Sequence, residues 1–325
     1  MNWRVTCEKD FLKNKDRLRE VLEHGSVINS DMIQTVENGG IISFPHTLLK
    51  FSSEMILEVA RSMYSADISR IIALGVLHAD TLPPESSTRL ESLFEQTYTD
   101  SYKEDFTEFK GAFYRAKDES AFGTLSRFEP PESWEIIRQN DHLLEDEFCL
   151  DYLFNIIELT ADVIDEQPIP LLPIYCGVSF DPATDSFQLA EGLAAEINQL
   201  NNEDTALLAT GNLVHFGNNY NEPKVIREKP KAIKELGPLF YDKIEEAFTA
   251  VFTEKDYLKG FDLLHNELQS DQGLLLPVLS ELFSPYTVDY HFYKYRLSDY
   301  SEVWEVQKPS VVATSMYKLQ ATNSC

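Results

Sequence analysis

Ile41-Ile42-Ser43-Phe44-Pro45-His46 and Arg70-Ile71-Ile72-Ala73-Leu74-Gly75-Val76-Leu77-His78 decide the fold. Each is a short apolar run closed by a polar residue, the pattern of a strand buried on both faces. Between them Leu49, Met55, Val59 and Met63 share one face of a helix expected over Leu48 to Tyr64. Strand, helix, strand in that order is a β–α–β unit, and therefore a parallel sheet.

Working outward, Leu171 to Val178 and Thr205 to Thr210 read as further buried strands, with a helix at about Ser186 to Leu200 between them. Leu143 to Asp165 has the spacing of one amphipathic helix, residues 8–37 are expected to be helical, and residues 230–283 mainly so. Val288 to Tyr295 and Val311 to Leu319 alternate and suit antiparallel strands. Residues 81–141 are polar and interrupted by Pro83-Pro84 and Pro130-Pro131, an elaborated excursion from the core. The expectation is one α/β domain over residues 1–325. It has a core at about 40–320, an N-terminal helical segment at 1–38, and a mainly parallel central sheet flanked by helices, with antiparallel strands near the C-terminus.

With 28 Lys+Arg against 54 Asp+Glu, the net charge is 28 − 54 = −26, which repels nucleic-acid phosphate and anionic membrane surfaces. The one basic stretch is Lys224 to Lys234. The longest apolar run, Ile169 to Phe180, is too short for a bilayer and holds two prolines, and the N-terminus carries no apolar signal core, so a cytoplasmic protein is expected. Cys7, Cys149, Cys176 and Cys325 are far apart and form no CxxC pair, which suits reduced thiols and excludes a finger-type zinc site. GxGxxG, GxxxxGK[ST], GxSxG and HExxH are all absent.

In open α/β sheets ligands collect beyond the carboxyl ends of the strands. His46 follows the first strand, His78 the second, and Gly211-Asn212-Leu213-Val214-His215 the fourth. Imidazole is a common ligand for iron, copper and zinc. Taken singly, a histidine at a strand end is more often a hydrogen-bonded loop residue. Three at equivalent positions set a shared site beside that plainer reading.

At these residues a family resemblance enters. Ile41 to His46 resembles the strand-Ala-Pro-His motif of the Memo-like family, which in microbes supplies protein B of the Amme–Memo–radical-SAM set. Ile71 to His78 resembles that family's Leu-Gly-Pro-Ser-His strand exit, Leu171 to Gly177 its Ile-Pro-Val-x-x-Gly strand, and Ala206 to Gly217, ending Asn212-Leu213-Val214-His215-Phe216-Gly217, its Ser-Asp-Phe-x-His-Trp-Gly segment. Order and spacing agree over about residues 40–320. The family is similar in fold to class III extradiol dioxygenases, which hold non-haem Fe(II) on two histidines and a carboxylate. The resemblance implies His46 and His78 as metal ligands and His215 as a third ligand or the acid/base. The family's late Cys-Gly falls near Asp271-Gln272-Gly273, where Gln272 stands for the cysteine, and Asp271, Glu267 or Gln272 would complete the site. Further departures are His46-Thr47-Leu48-Leu49 for His-Ala-Gly-Tyr, Ala79 for the second of a His-His pair, and Asn212 for an aspartate.

Two functions follow as expectations. One is a non-haem metalloenzyme, Fe(II) first with copper or zinc next, an oxidoreductase of dioxygenase type acting on a small organic substrate. The other is an inactive scaffold on the same fold that binds a protein or peptide partner.

Overall fold

The computed structural model describes residues 2–25, 28–95, 107–116, 119–181, 186–217, 220, 233–306 and 309–322. Most of the basic stretch from Lys224, and Cys325, lie outside these. Eleven strands are present among them: β1 (Ile41–Phe44), β2 (Arg70–Val76), β3 (Ala112–Tyr114), β4 (Glu119–Ser120), β5 (Gly123–Thr124), β6 (Ile137–Gln139), β7 (Leu171–Cys176), β8 (Thr205–Thr210), β9 (His215–Gly217), β10 (Val288–Asp299) and β11 (Ser310–Ala321). Nine form one sheet in the order β10-β11-β1-β8-β2-β7-β3-β6, with β9 on β11. The β1-β8, β8-β2 and β2-β7 pairs are parallel, and β10-β11, β11-β1 and β11-β9 are antiparallel. This is the single mixed α/β domain expected from the sequence.

Every residue of β1, β7 and β8 is buried, as is all of β2 after Arg70. Strands buried on both faces need helices on both sides, which is why their sequences run apolar without alternation. Helices α1 (Trp3–Gly25), α2 (Ser30–Glu37), α3 (Leu49–Met63), α4 (Pro84–Glu95), α5 (Asp151–Ile164), α6 (Gln188–Asn198) and α7 (Ile233–Phe248) supply the cover, with α1, α3 and α5 packed on one another. Asn29 starts α2 by accepting the N–H groups of Asp31 and Met32, which divides residues 8–37 into two helices instead of one. Among the described residues no helix is long and apolar enough to cross a membrane.

Two expectations change. The helix read from Leu143 starts only at Asp151. Leu143, Leu144, Phe148, Cys149 and Leu150 are buried, so their apolar spacing is real, but it is met by turns. Glu147 accepts the N–H groups of Phe148 and Cys149 at 2.8 and 3.1 Å, giving the backbone partners that compete with a helix. The excursion at 81–141 is also less separate than its polarity implies, because β3 and β6 extend the main sheet beyond β7.

β1, β8 and β2 are adjacent and parallel, so their exits open on one edge of the sheet. His46, Asn212 and His78 stand there side by side.

Candidate metal centre

His46 leaves β1 after Pro45 and is buried. Its Nδ1 lies 3.2 Å from Thr210 Oγ1, and that hydroxyl donates its own hydrogen to Phe44 O at 2.7 Å. The hydroxyl can therefore only accept from the ring, which places the proton on Nδ1 and the lone pair on Nε2. Asn212 Nδ2 donates to that lone pair at 2.8 Å. Burial is the main influence on this imidazole and, with His78 adding to it against the pull of Asp271, lowers it to about 4. His46 is thus a neutral ring with a usable Nε2.

His78 is held from behind by Glu147, which is 0% exposed. One oxygen accepts His78 Nδ1–H at 3.0 Å; the other accepts the His78 backbone N–H at 2.9 Å and lies 3.1 Å from the Thr81 hydroxyl, whose hydrogen is shared with His78 O at 2.8 Å. Burial pushes the Glu147 carboxyl up, but the charge and hydrogen bonds of His78 outweigh it and bring it down to about 2. Burial would likewise lower His78, yet Glu147 and Asp271 on its two sides hold it well above the usual imidazole range. A carboxylate on Nδ1 fixes the tautomer of a metal-binding histidine and aims Nε2 outward.

Asp271 arrives from a distant part of the sequence and is stitched across the β8 exit. Its N–H donates to Asn212 O at 3.3 Å, the Ser270 hydroxyl donates to the same carbonyl at 2.8 Å, and Gln272 Nε2 donates to Gly211 O at 2.5 Å. Gly211 permits this approach, since a Cβ there would lie 2.2 Å from Gln272 Cγ. The outcome is a carboxylate oxygen 3.5 Å from His46 Nε2 and 3.4 Å from His78 Nε2, with the two imidazole centroids 5.2 Å apart. One ligand atom from each of the three residues fits within 4.8 Å of the others. Both Asp271 oxygens are buried without a hydrogen-bond partner. Burial would raise this carboxyl, but His78, with His46 and His215, keeps it below its usual range.

Three other sequence candidates have different places. Gln272 does not offer its amide to the cluster, against the expectation that it could be a ligand: Nε2 is spent on Gly211 O, and Oε1 accepts the Tyr317 hydroxyl at 2.7 Å. Glu267 pairs with Lys243 at 3.1 Å. His215 lines the cavity beside the cluster but falls outside the three-residue group. Its Nδ1–H donates to Gln269 O at 2.7 Å, and its Nε2 faces Asn212 Nδ2 at 3.5 Å. Glu147 was missed as a site residue. The signals were an acid set against the apolar run Phe148-Cys149-Leu150 and the blurred likeness of Glu145 to Phe154 to the Memo-like family's glutamate-histidine helix motif.

No protein-family model matches the chain, and no curated protein matches it. Among solved structures, it is similar to an uncharacterized protein, JW3007, from Escherichia coli K12. The identity is 13% and the TM-score 0.41, over 86% of this chain and 98% of that chain. The Memo-like resemblance rests on the order of the motifs.

The three-residue group fits a divalent metal. It offers two imidazole nitrogens and one anionic oxygen, and the buried Asp271 carboxylate has its charge pairing only with these histidine rings. Gln272, by contrast, is structural. Gln272→Ala should leave metal content unchanged and cost about 2–4 kcal/mol, since it strands Gly211 O and the Tyr317 hydroxyl in a dry interior and opens a void. Chemical denaturation and metal analysis of the same sample check both halves.

Proposed function

We propose that this chain is a non-haem metal protein with Fe(II) as its preferred ion, acting as an oxidoreductase on a small organic substrate. The observation carrying the proposal is the meeting of His46 Nε2, His78 Nε2 and the buried Asp271 carboxylate at the exits of adjacent parallel strands. Two histidines and one carboxylate, with other positions open, form the donor set of non-haem Fe(II) oxygenases. Bound there, such an ion supplies Lewis acidity and one-electron chemistry toward dioxygen.

The chain's own groups do the rest. Glu147 orients His78, Thr210 orients His46, and the 268–274 segment holds Asp271. His215 has its Nδ1 proton committed to Gln269 O, which leaves Nε2 to accept a proton from a substrate hydroxyl or amine in the cavity. Asn212 cannot act as a base; its N–H groups steer the rings of His46 and His215. The buried free thiols Cys7, Cys149 and Cys176 support a reducing, cytoplasmic setting.

His46→Ala and His78→Ala should each lower iron stoichiometry from near one to near zero in anaerobically reconstituted protein, while His215→Ala should retain it. Metal retained in both of the first two variants would sink the assignment. Binding should also strengthen with pH. His78 favours its doubly protonated form, and an ion on Nε2 must displace that proton. One displaced proton gives about a tenfold gain in affinity per pH unit below the folded value. Calorimetry in two buffers of different ionisation enthalpy counts the proton directly. If wild type takes up neither iron, copper nor zinc, the scaffold function becomes the better reading.

A further inference from the structure

The cavity beside His46 and His78 has walls to which the metal reading gives no role. Its cavity volume is about 90 Å³, and it is lined on the outer side by Trp3, Phe148, Tyr220 and Trp304, with Asp80 at the mouth. Trp304 stands at 86° to Trp3, with centroids 4.9 Å apart, and at 86° to Tyr220, with centroids 6.3 Å apart. The indole Nε1–H of Trp304 donates to the Tyr220 hydroxyl at 3.1 Å, which locks the second corner. Trp3 stacks on Phe148 at 5.8 Å, and Phe148 stacks on His78 at 4.9 Å. The wall is therefore continuous from the metal cluster to the rim. Trp3, Tyr220 and Trp304 are half-buried, so the box opens to solvent.

The charge around this box is net negative, because His78 on its inner wall is already paired with the Glu147 and Asp271 carboxylates. Asp80 is exposed at the mouth, and none of the described lining residues is Lys or Arg. Burial pushes the Tyr220 phenol up to about 12, with the Asp80 and Asp271 carboxylates adding to that push against the Trp304 hydrogen bond. Ring faces carry negative quadrupole charge and attract cations. An anionic ligand meets the Asp80 charge, and the His78 ring on the inner wall is already paired on both sides. A neutral ligand gains burial alone, whereas a cation gains burial, ring faces and Asp80 together.

We propose that this box binds an organic cation, a substituted ammonium or protonated amine held between Trp3, Tyr220 and Trp304 with Asp80 as its counter-charge. The inference rests on the reading above only in taking the same cavity as the substrate entrance.

The test uses metal-free full-length protein titrated with choline, with its uncharged isostere 3,3-dimethylbutan-1-ol, and with phenylacetate, followed by tryptophan fluorescence and calorimetry. Choline should bind saturably and about tenfold or more tighter than the isostere, and phenylacetate should not compete. Trp304→Leu should weaken choline about tenfold, Trp304→Phe should keep most of the affinity, and Asp80→Asn should weaken it about threefold and flatten its salt dependence. Thermal melting of each variant identifies any that fail to fold, and Asp80→Asn at the exposed rim carries the test if Trp304→Leu does. Equal affinity for the isostere, no saturable choline binding by wild type, or full affinity in both folded Trp304→Leu and Asp80→Asn would overturn the proposal. Choline binding that survives in His46→Ala while metal is lost separates the two readings.

Discussion

Glu147→Ala is expected to destabilise the protein by about 3–5 kcal/mol, the usual cost of breaking a buried charge pair from one side. The carboxylate accepts from the His78 ring and backbone, the Thr81 hydroxyl, and the N–H groups of Phe148 and Cys149. Truncation leaves three backbone N–H groups and a ring N–H without acceptors inside a site closed to water. Glu147→Gln keeps much of the shape but loses the charge that favours the His78 proton on Nδ1. It should fold, and it should bind metal about 10–100-fold more weakly. Denaturation of the alanine variant and metal titration of the glutamine variant test the two roles separately. A stability loss under about 1 kcal/mol in the first would mean that water reaches and satisfies the stranded groups.

Asp271→Asn is expected to lose metal almost completely while the fold persists. The substitution is isosteric, and what the side chain loses is its charge toward His78 and His46. The 268–274 segment is anchored instead by the Asp271 backbone N–H, by Ser270 and by Gln272, none of which changes. What disappears is the one anionic donor among the three converging atoms, and an uncharged amide oxygen holds a divalent ion far less strongly. Titration with Fe(II) under anaerobic conditions reads the loss. Native-like thermal melting of the metal-free variant shows that the loss is local. Near-equal iron binding by wild type and Asp271→Asn would remove the carboxylate from the site.

The parts of this architecture that were legible in the sequence are those set by local patterns. β1, β2, β7 and β8 are short apolar runs because both their faces are covered, and a run bounded by Pro45, His78 or Gly211 marks its own end. Parallel pairing then puts His46 and His78 on one edge without further information. Asp271 was reachable only through the motif resemblance, since it comes to β8 through hydrogen bonds formed across the fold. The same resemblance gave equal standing to Gln272, whose amide serves Gly211 and Tyr317. Glu147 stayed hidden because buried turn residues from Leu143 to Leu150 repeat at helix-like intervals, and a helix there would have turned its carboxylate elsewhere. The aromatic box was also out of reach, because Trp3 and Trp304 sit near opposite ends of the chain and only the closed fold brings their rings to 4.9 Å.

The central claim is that His46, His78 and Asp271 together hold one metal ion. Anomalous diffraction at the iron edge, from crystals of protein reconstituted with Fe(II) under anaerobic conditions, tests it most directly. The account requires one strong peak within about 2.0–2.3 Å of His46 Nε2, His78 Nε2 and an Asp271 oxygen, with Asn212 Nδ2 displaced from the His46 lone pair it now occupies. A peak elsewhere, or none between the three side chains at full occupancy of added iron, would contradict it.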